Sequence, residues 1–181
     1  MTVAEISSFQ LETMVTFKPH VTAILNITPD HLDRHKTLEN YIAIKESITK
    51  NQDGNDFCVL NYNDPVLREF GKTPRCKVIF FSSSEELESG VFLRGDTMII
   101  KENGVETPVC TTKDTSLVGM HNYENIMAAI AMTHAMGVPL DTIRQGIKEF
   151  TAVEHRIEFV TEKNGVKYYN DSKGTNPDAA I

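Results

Sequence analysis

The sequence lacks the features that would place the protein in a membrane, in an oxidising compartment or on nucleic acid. No apolar run approaches the roughly 18 residues that a membrane-spanning helix needs. The opening MTVAEISSFQ is not a signal peptide, because no basic segment precedes an apolar one. Only three cysteines occur in 181 residues and none forms a CxxC pair, which argues against a disulfide scaffold and a cysteine zinc site. Lys and Arg number 18 against 25 Asp and Glu, which argues against a nucleic-acid partner. Because the cysteines fit a reducing compartment and no membrane span occurs, we expect a cytoplasmic protein without a membrane partner.

The composition and the hydrophobic pattern predict an α/β fold. Hydrophobic residues make up 40% and charged residues 24%, the balance of a globular protein, and the length suits one domain with or without part of another. Apolar runs at 21–26, 56–61 and 77–81 indicate buried strands, and helical patterns at 38–50 and after Asp64-Pro65 lie between them. Strands that alternate with helices in this way indicate a mostly parallel, Rossmann-like sheet with flanking helices.

The second half adds hairpins and two more helices. We predict short strands at 91–94 and 97–101, helices at 122–135 and 139–150, and a hairpin of 157–161 with 166–169 around Asn164-Gly165. A domain boundary near residues 151–154 follows from this change of pattern. The chain opens directly on TVAEISSF and stops at NPDAAI, which is typical of the first turn of a helix, so we expect a segment of a longer chain.

Lys45 stands within an apolar stripe. It lies four residues after Tyr41 and three before Ile48, whereas its neighbour Glu46 is expected to face solvent and pair with Lys50. A lysine in that position reaches solvent along its stem, has a carboxylate partner or has a chemical role. One such role is reaction with CO2 to give a carbamate that binds metal as a carboxylate does.

Four other segments of the sequence contain groups of polar residues that could form a site. The loop Asp30-His-Leu-Asp-Arg-His35 follows a predicted strand, where ligand sites in α/β sheets lie, and it suits either a divalent cation or a capped surface loop. Glu5, at the end of the opening apolar run, is a third acidic candidate, and the alternative is a helix cap or a surface carboxylate. Asn122 and Asn125, one turn apart in GMHNYEN, suit helix capping or contact with a base edge. EHR and NDSKGTN suit phosphate and ribose contacts or ordinary surface loops.

Together, AEISSFQLE, NITPDHLDRH with the following lysine, GMHNYEN, EHR and NDSKGTNPDA resemble the Mur ligase family over nearly the whole chain. The resemblance implies a P-loop-NTPase-type sheet and an ATP-dependent amide-bond ligase of peptidoglycan synthesis. SSFQLE, EHR and NDSKGTN resemble most the members that add D-glutamate to UDP-N-acetylmuramoyl-L-alanine through an acyl phosphate. It further implies that residues 1–152 are a central ATP-binding domain and that 153–181 begin a C-terminal ligase domain. The sequence does not establish an oligomeric state, and we expect a monomer.

The resemblance also assigns roles by position. Glu5, His31 and Lys45 as a carbamate match the family's Mg2+ ligands, and His31 and Lys45 therefore count as catalytic residues.

The remaining assignments concern the nucleotide and the substrate. Asn122 and Asn125 match residues that contact adenine and ATP, and Arg156 and Asp171 match a nucleotide-binding pair. Lys173 matches a catalytic position near the phosphate, and Thr175 matches a substrate-binding position on the D-glutamate side.

The sequence departs from the family in one respect. No GxxxxGK[ST] phosphate loop occurs, and KGT at 173–175 is no substitute for it. We therefore expect the 181 residues alone to lack ligase activity. The alternatives are another Mur ligase or a folylpolyglutamate synthetase-like ligase, a nucleotide- or metal-binding module without catalysis, and a structural α/β domain with polar loops.

Overall fold

The computed structural model describes residues 1–151, 154–155 and 158–174. The predicted roles of Arg156 and Thr175, and the helical turn predicted at 177–181, lie outside this range. The helices are α1 (Ser8–Glu12), α2 (Leu32–His35), α3 (Leu38–Glu46), α4 (Pro65–Phe70), α5 (Met120–Ala135) and α6 (Leu140–Glu149). The strands are β1 (Val21–Ile24), β2 (Phe57–Asn61), β3 (Lys77–Ser82), β4 (Gly90–Arg94), β5 (Thr97–Glu102), β6 (Val105–Thr111), β7 (Glu158–Lys163) and β8 (Val166–Asn170).

Two sheets form. The larger has six strands in the order β1-β2-β3-β4-β5-β6, in which β1 to β4 are parallel and β5 and β6 continue it as an antiparallel meander. The smaller is the antiparallel hairpin β7-β8, which turns at Asn164-Gly165 as predicted. The mostly parallel α/β sheet with a small antiparallel sheet is confirmed, and the meander at 90–111 belongs to the main sheet.

Helices cover the main sheet on two faces because successive side chains of a strand point in opposite directions. On β2, Val59 packs in the cluster that contains the buried residues of α5, whereas Cys58 and Leu60 pack with Tyr41 of α3 and with Leu67 of α4. Helix α6 packs against α5 and β6. The central parallel strands are thus buried from both sides, which is why they are continuous apolar runs in the sequence.

The helical predictions need three corrections. Residues 28–35 are not all loop, since α2 occupies Leu32–His35. The helix predicted at 38–50 ends at Glu46 and passes into a 3-10 turn at Ser47–Thr49. Helix α1 was not predicted; it forms because Ser7 caps the Gln10 N–H while the Gln10 side chain accepts from the Ser7 N–H, a capping box that satisfies both groups.

Among the helices of the described residues, none is long and apolar enough to cross a bilayer.

Candidate functional site

The carboxyl ends of the parallel strands carry the first part of the candidate site. The segment after β1 runs through Ile27 to His31, and the Asp64 carboxylate accepts the Ile27 N–H at 2.8 Å. The same carboxylate caps α4 by accepting the Val66 N–H at 2.9 Å. Asp64 therefore fixes the segment that leads to His31 against the neighbouring β2–α4 turn.

His31 lies at the start of α2 in an unusual backbone conformation. Its φ is +52°, in the left-handed region, and its N–H donates to the Asp30 carboxylate at 2.8 Å. The ring is half exposed, and its Nε2 lies 3.6 Å from Asp30 Oδ2. A short polar side chain beside a left-handed residue commonly stabilises such a turn. Asp30 therefore has a local structural role in stabilising the backbone at His31.

His35, at the other end of α2, is a buried anchor rather than a surface ligand. Its Nε2 lies 3.0 Å from Ser8 Oγ, and its ring stacks on Phe9 with centroids 5.5 Å apart. Nδ1 lies 3.3 Å from Glu12 Oε1, an ion-pair distance without the alignment of a hydrogen bond. Arg34 hydrogen-bonds the same carboxylate and lowers the pKa of Glu12. The sequence indicates no such role for His35, since Ser8, Phe9 and Glu12 lie more than 20 residues away.

Lys45 is half buried, and its ammonium lies 5.1 Å above the Tyr41 ring. Among the described residues no carboxylate pairs with Lys45, so the predicted carboxylate partner is not found. The alternative, in which an apolar stem carries the ammonium to the surface, is supported by the cation–π contact. Tyr41 lies 5.4 Å from the ring of His35, which in turn stacks on Phe9, and Phe9 lies 4.9 Å from His31. Three rings thus connect Lys45 with His31.

The expected surface pair of Glu46 with Lys50 does not form. Glu46 is half buried and lines a shallow groove of about 360 Å³ with Val66 and Phe70 of α4. Burial raises the pKa of its carboxyl. The predicted helical spacing is right, but α4 lies across this groove from Glu46, on the side of α3 that was expected to face solvent.

The predicted metal ligands do not fit an Mg2+ site as they stand. Mg2+ takes oxygen ligands, whereas an unmodified Lys45 ammonium is a donor without a lone pair, and Glu5 and His31 are exposed. Across residues 1–151, 154–155 and 158–174, no group of three or more His, Cys, Asp or Glu side chains is arranged to hold a metal.

The GMHNYEN segment forms the first two turns of α5. Gly119 stands at the N-cap with φ +99°, a conformation that side-chain-bearing residues rarely adopt, and no side chain caps the helix. Helix capping by Asn122 or Asn125 is therefore wrong. The Asn122 amide instead donates to the Val118 carbonyl at 2.7 Å. Asn125 is exposed, and its side chain makes no hydrogen bond within the part of the chain described.

Glu124 is a further residue of this region that the sequence analysis missed. Its carboxylate accepts the Ser83 hydroxyl at 2.5 Å, just after β3, and the Asn61 amide at 3.4 Å, at the end of β2. A signal was present, because Glu124 precedes the apolar positions Met127 and Ala128 by three and four residues and so lies on the buried face of α5. The start of α5 is thereby fastened to the carboxyl ends of two strands.

The remaining site candidates follow β8. Asp171 and Lys173 are exposed, and the Lys173 N–H donates to the His155 carbonyl at 3.0 Å. The Asn170 amide lies 2.8 Å from His155 Nδ1, so His155 organises this turn. The assigned roles of Asp171 and Lys173 stay predictions, as do those of Glu5, His31, Lys45, Asn122 and Asn125.

Comparison with known sequences finds similar proteins over the whole length of the chain. UDP-N-acetylmuramoylalanine--D-glutamate ligase of Lachnoclostridium phytofermentans is 55% identical over 181 residues, which are 100% of this chain and 40% of that protein. The ligase of the same name from Lachnospira eligens is 52% identical over 180 residues, 99% of this chain and 40% of that protein. The chain thus spans about two fifths of the length of the curated relatives it matches.

Solved structures show the same fold at lower identity. MurF from Acinetobacter baumannii aligns with a TM-score of 0.68 at 21% identity, over 90% of this chain and 35% of that one. MurF ligase from Thermotoga maritima in complex with ADP aligns with a TM-score of 0.62 at 21% identity, over 89% of this chain and 37% of that one. The sequence profile of the Mur ligase middle domain matches residues 1–133, and the chain belongs to the Mur ligase family.

Proposed function

We propose that this chain is the nucleotide-binding part of an ATP-dependent ligase that adds D-glutamate to UDP-N-acetylmuramoyl-L-alanine in peptidoglycan synthesis. The observation that carries the proposal is the 55% identity to a D-glutamate ligase over all 181 residues. The fold supports it, because the polar residues of interest follow the carboxyl ends of parallel strands, where α/β proteins bind ligands. The activity belongs to a protein of the relatives' full length.

The domain organisation is part of the proposal. Residues 1–152 are a central ATP-binding domain and 153–181 begin the C-terminal ligase domain. The change from α6, which ends at Glu149, to the separate sheet β7-β8 supports a boundary between them. We further propose that the enzyme acts in the cytoplasm as a monomer.

In this proposal the amides of Asn122 and Asn125 face the adenine and the ATP. An amide offers a donor and an acceptor together, which matches the paired acceptor and donor on the edge of adenine. The half-buried Asn122 keeps its oxygen available while its nitrogen holds the Val118 carbonyl. Arg156 and Asp171 complete the nucleotide site from the following domain.

The reaction begins when the carboxylate of UDP-N-acetylmuramoyl-L-alanine attacks the γ-phosphorus of ATP, forming an acyl phosphate and releasing ADP. The amine of D-glutamate then attacks the acyl carbon, loses a proton and expels inorganic phosphate, leaving an amide. Both steps gather negative charge on phosphate oxygens, and cationic side chains stabilise it. Lys173 is the candidate for this role, and Thr175 is the candidate contact to D-glutamate. Mg2+ is the expected partner ion of ATP. Glu5, His31 and Lys45 would hold it only with Lys45 as a carbamate, because the carbamate oxygens replace an ammonium that cannot bind metal.

The proposal is tested with an enzyme of the relatives' length that carries this sequence. We expect ADP release that requires ATP, UDP-N-acetylmuramoyl-L-alanine and D-glutamate together. Meso-diaminopimelate or D-alanyl-D-alanine in place of D-glutamate gives background release only. Release that prefers another amino acid, or that ignores the muramoyl substrate, contradicts the proposal.

A further inference from the structure

We propose that Glu124 is a positioning residue for nucleotide binding, acting through Asn122 and Asn125 rather than by touching the nucleotide itself. The inference rests on the proposed function, since it takes these two amides as the adenine contacts. Its basis is the pair of hydrogen bonds by which Glu124 joins the start of α5 to Ser83 after β3 and to Asn61 at the end of β2.

The two faces of the first turns of α5 have different environments. Glu124 shares a face with Met127, Ala128 and Ala131, which are 2% exposed or less and pack on the sheet. Asn125 points away from that face, into solvent. A carboxylate at the top of the buried face therefore sets both the rotation and the height of the turn that presents the amides.

Apart from the apolar packing of Tyr123 and Ile126 on the core, few side-chain contacts hold this turn. Gly119 supplies no side-chain cap, and the Asn122 amide reaches only the preceding loop at Val118. Within the described residues, Glu124 is the side chain of residues 119–126 that hydrogen-bonds to the ends of the strands. Because Gly119 provides no cap for the first N–H groups of α5, loss of the Glu124 hydrogen bonds favours fraying of the same turn that carries Asn122.

The partners of Glu124 are themselves fixed, so the anchor is rigid. Asn61 is buried, and its oxygen accepts the Asn63 N–H at 2.9 Å. Asn63 in turn accepts the Ser82 hydroxyl at 2.7 Å and donates to the Ser84 hydroxyl at 2.7 Å. Because each of these groups has a hydrogen-bond partner, the network holds Asn61 in place more firmly than a single exposed pair would.

The experiment measures KM for ATP, kcat and ADP affinity in the enzyme of full relative length. We expect Glu124→Ala to raise KM for ATP and the Kd for ADP about tenfold, with kcat at saturating ATP within about twofold and KM for D-glutamate unchanged. Glu124→Gln keeps one oxygen for the Ser83 hydroxyl and loses the acceptor for Asn61, so it raises KM for ATP about threefold. Ser83→Ala acts in the same direction. Combined with Glu124→Ala it adds no further loss, because Glu124→Ala has already removed the hydrogen bond to the Ser83 hydroxyl.

Ile130→Val is the matched control. It deletes one buried methyl group from the second half of the same helix, so it lowers stability without altering KM for ATP. The inference is overturned if Glu124→Ala lowers stability as Ile130→Val does but leaves KM for ATP and ADP affinity unchanged. If Glu124→Ala does not fold, Glu124→Gln and Ser83→Ala decide by the same criterion. An unsubstituted enzyme without ATP-dependent activity refutes the proposed function instead, which keeps the two failures distinct.

Discussion

Ser8 Oγ and His35 Nε2 lie 3.0 Å apart, and both residues are buried. The contact joins α1 to α2 across 27 residues of sequence, and Phe9 reinforces it by stacking on the same imidazole. The SSFQLE and DHLDRH motifs are therefore one structural unit, which brings the segment after Glu5 beside the loop that carries His31.

His35→Ala tests this unit. We expect the free energy of unfolding to fall by about 2–3 kcal/mol, because the substitution leaves a cavity beside Phe9 and removes the partner of the Ser8 hydroxyl. Urea denaturation gives the value. Leu32→Ala, at an exposed position of the same helix, is the control and costs less than about 0.5 kcal/mol. Equal losses in the two variants contradict an anchoring role for His35.

Asp56 makes stability fall in acid. The Asp53 N–H and then His20 and Lys18 hydrogen-bond its carboxylate, and they lower its pKa from 3.8 to about 2. Since the folded state holds the proton more weakly than the unfolded state, the stabilisation is present above pH 4 and is lost as pH falls toward 2. Asp56→Asn should remove about 1 kcal/mol at pH 7 and flatten the dependence between pH 4 and pH 2.

Unfolding monitored by circular dichroism at a series of pH values checks this prediction. Asp141→Asn, at a side chain 93% exposed, is the control and leaves the pH profile unchanged. A profile for Asp56→Asn that still falls as steeply as the unsubstituted one shows that other carboxylates cause the acid sensitivity.

The effect of the Glu46 carboxyl on the pH dependence of stability should be opposite to that of Asp56. Burial raises the pKa of the Glu46 carboxyl, so the folded state holds the proton more strongly and loses stability as pH rises through that pKa. Glu46→Gln is therefore expected to raise the melting temperature at pH 7 and to make no difference at pH 4. Glu69→Gln, at an exposed carboxylate of the same groove, gives no such gain. A lower melting temperature for Glu46→Gln at pH 7 would falsify the assignment.

Substitutions of Asn122 and Asn125 test their proposed contacts with the nucleotide and serve as controls for each other. Asn125→Ala should weaken ADP binding about tenfold in the full-length enzyme without lowering the melting temperature, because its exposed side chain holds no other part of the protein. Asn122→Ala should do both, because it also loses the bond to the Val118 carbonyl. Calorimetry and thermal unfolding separate the two effects. Unchanged ADP affinity in both variants would remove the amides from the nucleotide site.

The sheet and its long helices follow from the sequence because their signals are local. Strands β2 and β3 are continuous apolar runs, and α4 begins at Asp64-Pro65, where a capping carboxylate precedes a proline suited to the first turn. Helices α1 and α2 have only five and four residues. No hydrophobic period can show in so short a segment, and tertiary contacts through His35 stabilise them instead.

The candidate site is only partly visible in the sequence for the same reason. The motifs that carry His31, Lys45 and Asn125 are contiguous and can be compared with a family. The hydrogen bonds of Glu124 join residues 41 and 63 positions apart, and the bond between Asp64 and Ile27 spans 37. Such pairings depend on which strands become neighbours, which a single local pattern does not encode.

The central claim is tested most directly by calorimetric binding of ATP with Mg2+ to this 181-residue chain and to a version extended upstream through a phosphate loop. We expect binding by the extended chain only, weakened by Asn125→Ala, and a metal dependence weakened by His31→Ala or Lys45→Ala. If the extended chain does not bind ATP, or binds it equally well with Asn125 replaced, the nucleotide site has been assigned to the wrong residues.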